Sequence, residues 1–157
     1  MPVRAALEAD IPQLLALVRR YWDFEGIAGF EALRLELILK RLVPGSAAGE
    51  IWVAGESGHL EGYLVLVYVV SLEHQGLMAE IDEFFVLPER RGRGVGGALL
   101  EAAESALRSR GCVRLQLQLA VNNLAGRAFY ERRGYGARCG YQLLDKPLST
   151  RGGNAEP

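Results

Sequence analysis

The chain has 157 residues, 18 Lys and Arg against 19 Asp and Glu, a formal net charge of -1, and 50% hydrophobic with 24% charged residues. These values describe one ordinary globular domain and exclude both the disordered class and a second core. Balanced charge also excludes a broad polyanion- or membrane-binding surface, so we expect no nucleic-acid or membrane partner and only local phosphate contacts.

The longest apolar run, Tyr63–Val70, is well short of the ~20 residues of a membrane span, and Met1–Asp10 carries no apolar signal core, which predicts a cytoplasmic protein. Cys112 and Cys139 have no CxxC spacing, and only His59 and His74 could share a metal with them, so no metal site is expected. The thiols read as half-buried small apolar residues, and the two histidines as solvated turn residues.

After a short apolar start, Asp10-Ile11-Pro12-Gln13 reads as a helix entrance, with Asp10 capping free N–H groups, Pro12 in the first turn and Gln13 completing a capping box. The helix is predicted to run to about Tyr21, with Ile11, Leu14, Leu15, Val18, Tyr21 and Trp22 on its buried face. Trp22–Gly26 reads as an aromatic and acidic connection. A second helix over Phe30–Leu42 carries Leu33, Leu37 and Ile38 on its apolar face and stops at Pro44-Gly45.

The pattern then turns to strands: Ile51–Ala54 and Leu60–Leu72 around the Ser57-Gly58 turn, then Met78–Leu87, forming an antiparallel meander. Gly94–Arg110 is predicted helical and Val113–Ala120 a half-buried strand of clean alternation. Leu124–Arg133 reads as a last helix and Tyr135–Lys146 as a final strand or hairpin, while Ser149–Pro157 reads as a disordered tail. The order βααβββαβαβ describes a mixed α/β domain over 1–148 with a central, largely antiparallel sheet.

Between the third meander strand and the next helix lies Pro88-Glu89-Arg90-Arg91-Gly92-Arg93-Gly94-Val95-Gly96-Gly97. Glycines let backbone N–H groups approach a ligand, a helix start offers free donors and positive potential, and arginines add charge, which together suit a pyrophosphate. Gly92-x-Gly94-x-x-Gly97 matches the dinucleotide fingerprint. However, the next strand ends Gln116-Leu117-Gln118-Leu119-Ala120 without the required carboxylate, and the preceding strand belongs to a meander, so a Rossmann site is rejected. No Lys-Ser or Lys-Thr follows the glycines, which excludes a Walker-type loop.

Arg91-Gly92-Arg93-Gly94-Val95-Gly96 resembles the Arg/Gln-x-x-Gly-x-Gly/Ala signature of the GNAT N-acetyltransferase superfamily. Asn123–Tyr135 resembles its second block, Asn-x-x-Ala-x-x-Leu-Tyr-Glu-Lys-x-Gly-Phe. With Asp10-Ile11-Pro12 in the first helix, the resemblance covers about residues 3–146. It departs at Gly126, where the family usually has Ala; glycine weakens that helix and leaves space near the cofactor.

The resemblance implies the GNAT fold, with helices on both faces of the sheet and a cleft splayed between the fourth and fifth strands. It implies acetyl-CoA as co-substrate, with no metal. Arg91, Gly92, Arg93, Gly94, Val95, Gly96 and Gly97 would hold the pyrophosphate, and backbone groups of Phe84, Phe85 and Val86 the pantetheine arm. The Val86 N–H would polarise the thioester carbonyl, Asn123 would contact the cofactor, and Tyr130 would lie near the sulfur. Acetyl transfer needs a neutral amine, a stabilised oxyanion and a proton for the departing thiolate. A phenol near pKa ~10 stays protonated at neutral pH, so Tyr130 suits the proton donor.

The base is expected from Glu80 or Asp82, which family members use at these positions in histone and diamine acetyltransferases respectively. Period-two alternation puts Glu80 and Asp82 on one strand face and Glu83 on the other, subject to a bulge. Ile81-Asp82-Glu83-Phe84-Phe85-Val86 resembles the Leu-Glu-Asp-Phe-Phe-Val of diamine acetyltransferases with its acids reversed. Asp23, Glu25 and Glu73, with Tyr21, Trp22 and Phe24, either line a cation-attracting entrance or form a solvated loop. The expected activity is acetylation of a primary amine on a small molecule by direct attack in a ternary complex. Alternatives are a protein N-terminus or lysine as acceptor, or a non-catalytic acyl-CoA-binding domain. A homodimer is compatible with the family.

Overall fold

The alternating segments around Ser57-Gly58 build the centre of the sheet in the computed structural model, which describes residues 1–148; the tail expected over 149–157 lies outside them. β2 (Gly49–Glu56), β3 (His59–Ser71) and β4 (Gly76–Val86) form the predicted antiparallel meander. β1 (Val3–Ala5) adds antiparallel to β2. β5 (Arg114–Leu117) adds parallel to β4 after a crossover through helix α3 (Val95–Ser109), as parallel neighbours require. The strand order is β1-β2-β3-β4-β5. The chain divides into two compact units, Met1–Gln118, which holds this sheet, and a second beginning at Leu119.

Period-two geometry gives the sheet of the first unit two apolar faces. Val53, Tyr63 and Phe85 lie opposite one another on β2, β3 and β4 and pack against Ile11, Leu14, Leu17 and Val18 of α1 (Ile11–Glu25). Leu39 and Leu42 of α2 (Ala32–Leu42) join the same core. On the opposite face, Trp52 and Phe84 flank a cluster of Ala54 with Val95 and Leu99 of α3. The expected mixed architecture, with helices on both faces, is therefore present.

Several local expectations are corrected. α1 extends to Glu25, one turn beyond Tyr21, because Gly26 takes the left-handed conformation (φ 70°) and closes the helix onto the Trp22 carbonyl. That extra turn makes Trp22 a helix residue rather than part of a loop. α2 turns Leu33 and Leu37 outward, at 79% and 65% exposed, with Ile38 also exposed, and docks through Leu35, Leu39 and Leu42. Leucines at 33, 35, 37, 39 and 42 offer two stripes at helical spacing, and periodicity alone does not choose between them.

Asp10 makes no cap to α1. Instead it is fully buried, receives Arg4 through two bonds of 2.6 and 3.0 Å, and accepts from the Leu7 N–H (2.9 Å) and the Ser57 hydroxyl (2.7 Å). One carboxylate thus joins β1, the entrance of α1 and the β2–β3 turn. Finally, 135–148 contains no strand. Left-handed Gly134 and Gly140 (φ 86° each) interrupt the extended run, and within the described residues no ladder forms on it. The histidines also part company: His59 is exposed, whereas His74 has a buried Nε2. Cys112 is half-buried and Cys139 exposed.

The Arg4 guanidinium, with the other donors, holds the Asp10 carboxyl down to about 2, against the usual carboxylate value. A depressed carboxylate stabilises the fold above its unfolded pKa of ~3.9, and that contribution disappears as pH falls toward 2. Asp10→Ala should therefore cost about 2–3 kcal/mol in urea unfolding at neutral pH, and the gap between variant and parent should narrow across the window from ~4 to 2.

Candidate active site

β4 carries one more residue than its partner. Val65 and Leu66 are consecutive on β3, but they face Glu83 and Ile81, so Asp82 is the extra residue of a bulge. The bulge cancels the alternation expected for this strand. Glu80, opposite Val67, and Glu83, opposite Val65, lie on the same face, the one covered by α1. Glu83 is therefore not on the opposite face from Glu80, as plain alternation predicts.

Glu83 is half-buried and accepts from the Trp22 Nε1–H (2.7 Å) and the Tyr63 hydroxyl (2.7 Å). Burial pushes its pKa up; the two donors pull it down, and Asp82 pushes it up again. Asp82 is solvent-accessible yet enclosed by enough protein that desolvation, then the charge of Glu80, raises its pKa. Glu80 is held by β5, accepting from Gln116 Nε2 (2.8 Å) and Gln118 Nε2 (3.2 Å). Tyr21 stacks beside Phe85 at 5.8 Å, and its pKa is raised by burial and by Glu25, Glu83 and Asp82. The carboxylates thus differ in surroundings: Glu80 is tied to amides, Glu83 to neutral ring donors, and Asp82 faces water.

Of the acidic entrance residues, Glu25 joins this group, while Asp23 pairs with Arg19 at 3.3 Å. Glu73 lies in the β3–β4 turn, nine residues before Asp82 with roughly 20 Å of β4 between them, so the structure separates it from the others.

The β4–β5 ladder ends at Ile81–Leu117. Beyond it, the Leu87 N–H bonds the Glu61 carbonyl (2.9 Å), so alternation turns the backbone groups of Phe85 toward β3 and those of Phe84 and Val86 away from it. Phe84 and Val86 consequently present N–H and C=O groups on an edge with no strand opposite among the described residues, which is the splayed cleft of the first unit. Phe85, with its side chain in the core, does not share that edge.

The glycine segment continues from this edge. Gly92 and Gly94 have φ of 73° and 84°, and a Cβ at either would meet nothing within 4 Å, so backbone conformation alone demands glycine there. Gly94 caps α3, and the N–H groups of Val95, Gly96 and Gly97 in its first turn have no intrahelical acceptor. Val95 contributes its backbone only, since its side chain is core. This cradle of free donors, open space and positive helix end fits a pyrophosphate. Arg93 is exposed beside it, whereas Arg91 donates its Nε–H to the Val86 carbonyl (3.0 Å).

In the second unit, Asn123 is the N-cap of α4 (Leu124–Glu131) and accepts from the Gly126 N–H at 2.8 Å. A Cβ at Gly126 would come within 2.8 Å of the Asn123 side chain, so the space the glycine leaves is taken by the cap rather than left open. Tyr130 is half-buried and meets Phe129 and Tyr135 edge-on at 5.1 and 5.3 Å. Among the described residues, no three His, Cys, Asp or Glu side chains gather as a metal site, and no helix is long and apolar enough to cross a membrane.

Residues 12–135 match the model of the acetyltransferase (GNAT) family. The chain belongs to the GNAT family. It is 28% identical over 148 residues to an uncharacterized N-acetyltransferase of Bacillus subtilis, covering 90% of this chain and 93% of that one. It is 32% identical over 83 residues to the aminoalkylphosphonate N-acetyltransferase of Salmonella typhimurium, covering 53% of this chain and 54% of the relative. Among solved structures, an integron cassette protein from the mobile metagenome of Cole Harbour Salt Marsh superposes with a TM-score of 0.81 at 29% identity, over 94% of this chain and 90% of that one. GNAT enzymes use acetyl-CoA as co-substrate, and this GNAT chain is accordingly an acetyl-CoA-dependent acyltransferase.

The GNAT motifs pointed to the glycine loop, but the roles of Trp22, Tyr63 and Glu83 escaped sequence reasoning. A bulge carries no residue signature of its own. The available signal was the crowding of three acids within Glu80–Glu83, too dense for one face of a regular strand. Tyr63→Phe removes one of two donors that lower the Glu83 pKa, so a carboxyl-carbon NMR titration should show that pKa rising further, with about 1–2 kcal/mol lost in stability.

Proposed function

We propose that this GNAT enzyme acetylates a primary amine on a small cationic molecule, with Asp82 as the base. The observation that carries the reading is the bulge at Asp82, which brings Glu80 and Glu83 to one strand face and sets Asp82 and Glu83 close to Tyr21 at the start of the open β4 edge. Acetyl-CoA supplies an activated acetyl group as a thioester; the steps that follow belong to the chain.

Asp82 takes a proton from the incoming ammonium, directly or through one water, leaving the nitrogen lone pair free to attack. Its raised pKa makes it a better base than an ordinary carboxylate while water still reaches it. Glu80, tied to Gln116 and Gln118, acts on Asp82 through its charge. The outward Val86 N–H is suited to polarise the thioester carbonyl, and the free N–H groups of Val95, Gly96 and Gly97, with the open Gly92–Gly94 turn and Arg93, to hold the pyrophosphate. Tyr130 gives its proton to the departing thiolate as the acyl carbon–sulfur bond breaks, a role resting on the Asn123–Tyr135 motif, with Asn123 as the cap of that helix. On this reading residues 1–148 work as one acetyltransferase domain.

The acidic, aromatic surroundings of Tyr21 favour an acceptor carrying positive charge beyond the reacting amine. An aminoalkylphosphonate, the substrate class of the Salmonella relative, brings an anion that these carboxylates would oppose. Thiol release from acetyl-CoA over a panel of diamines, aminoalkylphosphonates and lysine peptides tests this. Diamine-stimulated release is the expected result; stimulation by peptides alone, or CoA binding with no release by any amine, would refute it.

Asp82→Asn should lower kcat/KM at neutral pH by about 10²-fold or more. Glu80→Gln removes the charge that raises the Asp82 pKa, so the acid limb of its pH–rate profile should move to lower pH, with a modest change in the plateau. Tyr130→Phe should reduce kcat by about 10²-fold, and full activity at every pH would remove it as the acid.

A further inference from the structure

Arg91 stands where the family resemblance places a pyrophosphate ligand, yet its contacts lie elsewhere. Its Nε–H bonds the Val86 carbonyl at 3.0 Å, and its guanidinium carbon lies 4.9 Å from the Phe24 ring centre and 5.6 Å from that of Phe85. Phe85 is fixed in the core, whereas Phe24, in the last turn of α1, is 60% exposed. Neighbouring residues on this stretch also face away from the glycines: Arg90 pairs with Glu61 at 3.5 Å and Glu89 with Arg20 at 3.3 Å. Among the described residues, Arg93 makes no hydrogen bond or ion pair and remains available to an anion.

We propose that Arg91 is a positioning residue: it fastens the last turn of α1 to the outer edge of β4 and so sets the acceptor-side wall formed by Tyr21, Trp22 and Phe24. The arrangement needs a planar cation that contacts two rings while one N–H reaches a carbonyl, which a guanidinium does and an ammonium does not. Trp22, two residues before Phe24 on the same turn, orients Glu83, so play in this turn reaches the acidic group directly. The division of labour is then plain: Arg93 and the backbone serve the cofactor, and Arg91 serves the acceptor. The acceptor half of this assignment rests on the function proposed above; the fastening does not.

Hydrogen exchange on the full-length protein reads the fastening without catalysis. The Gly26 and Ile27 amides both bond the Trp22 carbonyl and report closure of the turn. Arg91→Ala, Arg91→Lys and Phe24→Ala should each speed exchange at these amides by about two- to fivefold, and combining Arg91→Ala with Phe24→Ala should add nothing further. Arg93→Ala should leave them unchanged while weakening acetyl-CoA binding in calorimetry. Unchanged exchange in Arg91→Ala, or full restoration by Arg91→Lys, overturns the proposal. With an accepted amine, Arg91→Ala and Phe24→Ala should raise its KM by a common factor; an unmoved amine KM beside a loss of acetyl-CoA affinity would return Arg91 to the phosphate site. If no amine is accepted, the proposed function fails while the exchange result still decides the contact.

Discussion

The extra residue in β4 is the constraint on which the acidic site depends. With Asp82 inserted opposite the Val65–Leu66 step, Glu80 and Glu83 come to the same face, and the strand beyond resumes its alternation with Phe84 and Val86 turned outward. A regular strand would keep the hydrogen bonds but send Glu83 into the layer occupied by Leu66, Ile81 and α3. The bulge therefore does two things at once: it assembles charge and it orients the backbone edge that follows. Bulges beside functional sites commonly re-aim side chains in this way.

Holding a carboxylate beneath α1 without a cation is costly, and the fold meets that cost with neutral donors. Trp22 and Tyr63 each present one polar atom from an otherwise apolar ring, so Glu83 is hydrogen-bonded while the surrounding core stays intact. A lysine or arginine in their place would neutralise the group. The contrast with Asp10 is instructive, because there an arginine does compensate the charge and the carboxyl is locked in its ionised form. One buried acid is thus built for joining elements, the other for remaining responsive to its neighbours.

Much of this was legible in the residues. Alternation located β2, β3 and β4, the glycines located the start of α3, and the Asn123–Tyr135 block located α4. What could not be read depended on partners distant in sequence. Asp10 resembled a helix cap because capping residues and buried ion-pair acids share a side chain; only Arg4 and Ser57 distinguish them. α2 held two apolar stripes of nearly equal merit, and the choice was made by the sheet it packs on. Arg91 followed a motif defined by glycine spacing, which says nothing of where a long side chain goes once Phe24 lies within reach.

The pairing of Gly126 with Asn123 bears on how such a chain can change over time. An alanine at 126 would add about 1 kcal/mol of helix propensity but displace a cap worth about as much. Each residue therefore sets the value of the other, and an alanine at 126 gains its full worth only where the Asn123 side chain shifts to make room for the added methyl. Engineering of this helix has to treat 123 and 126 as a single unit of substitution.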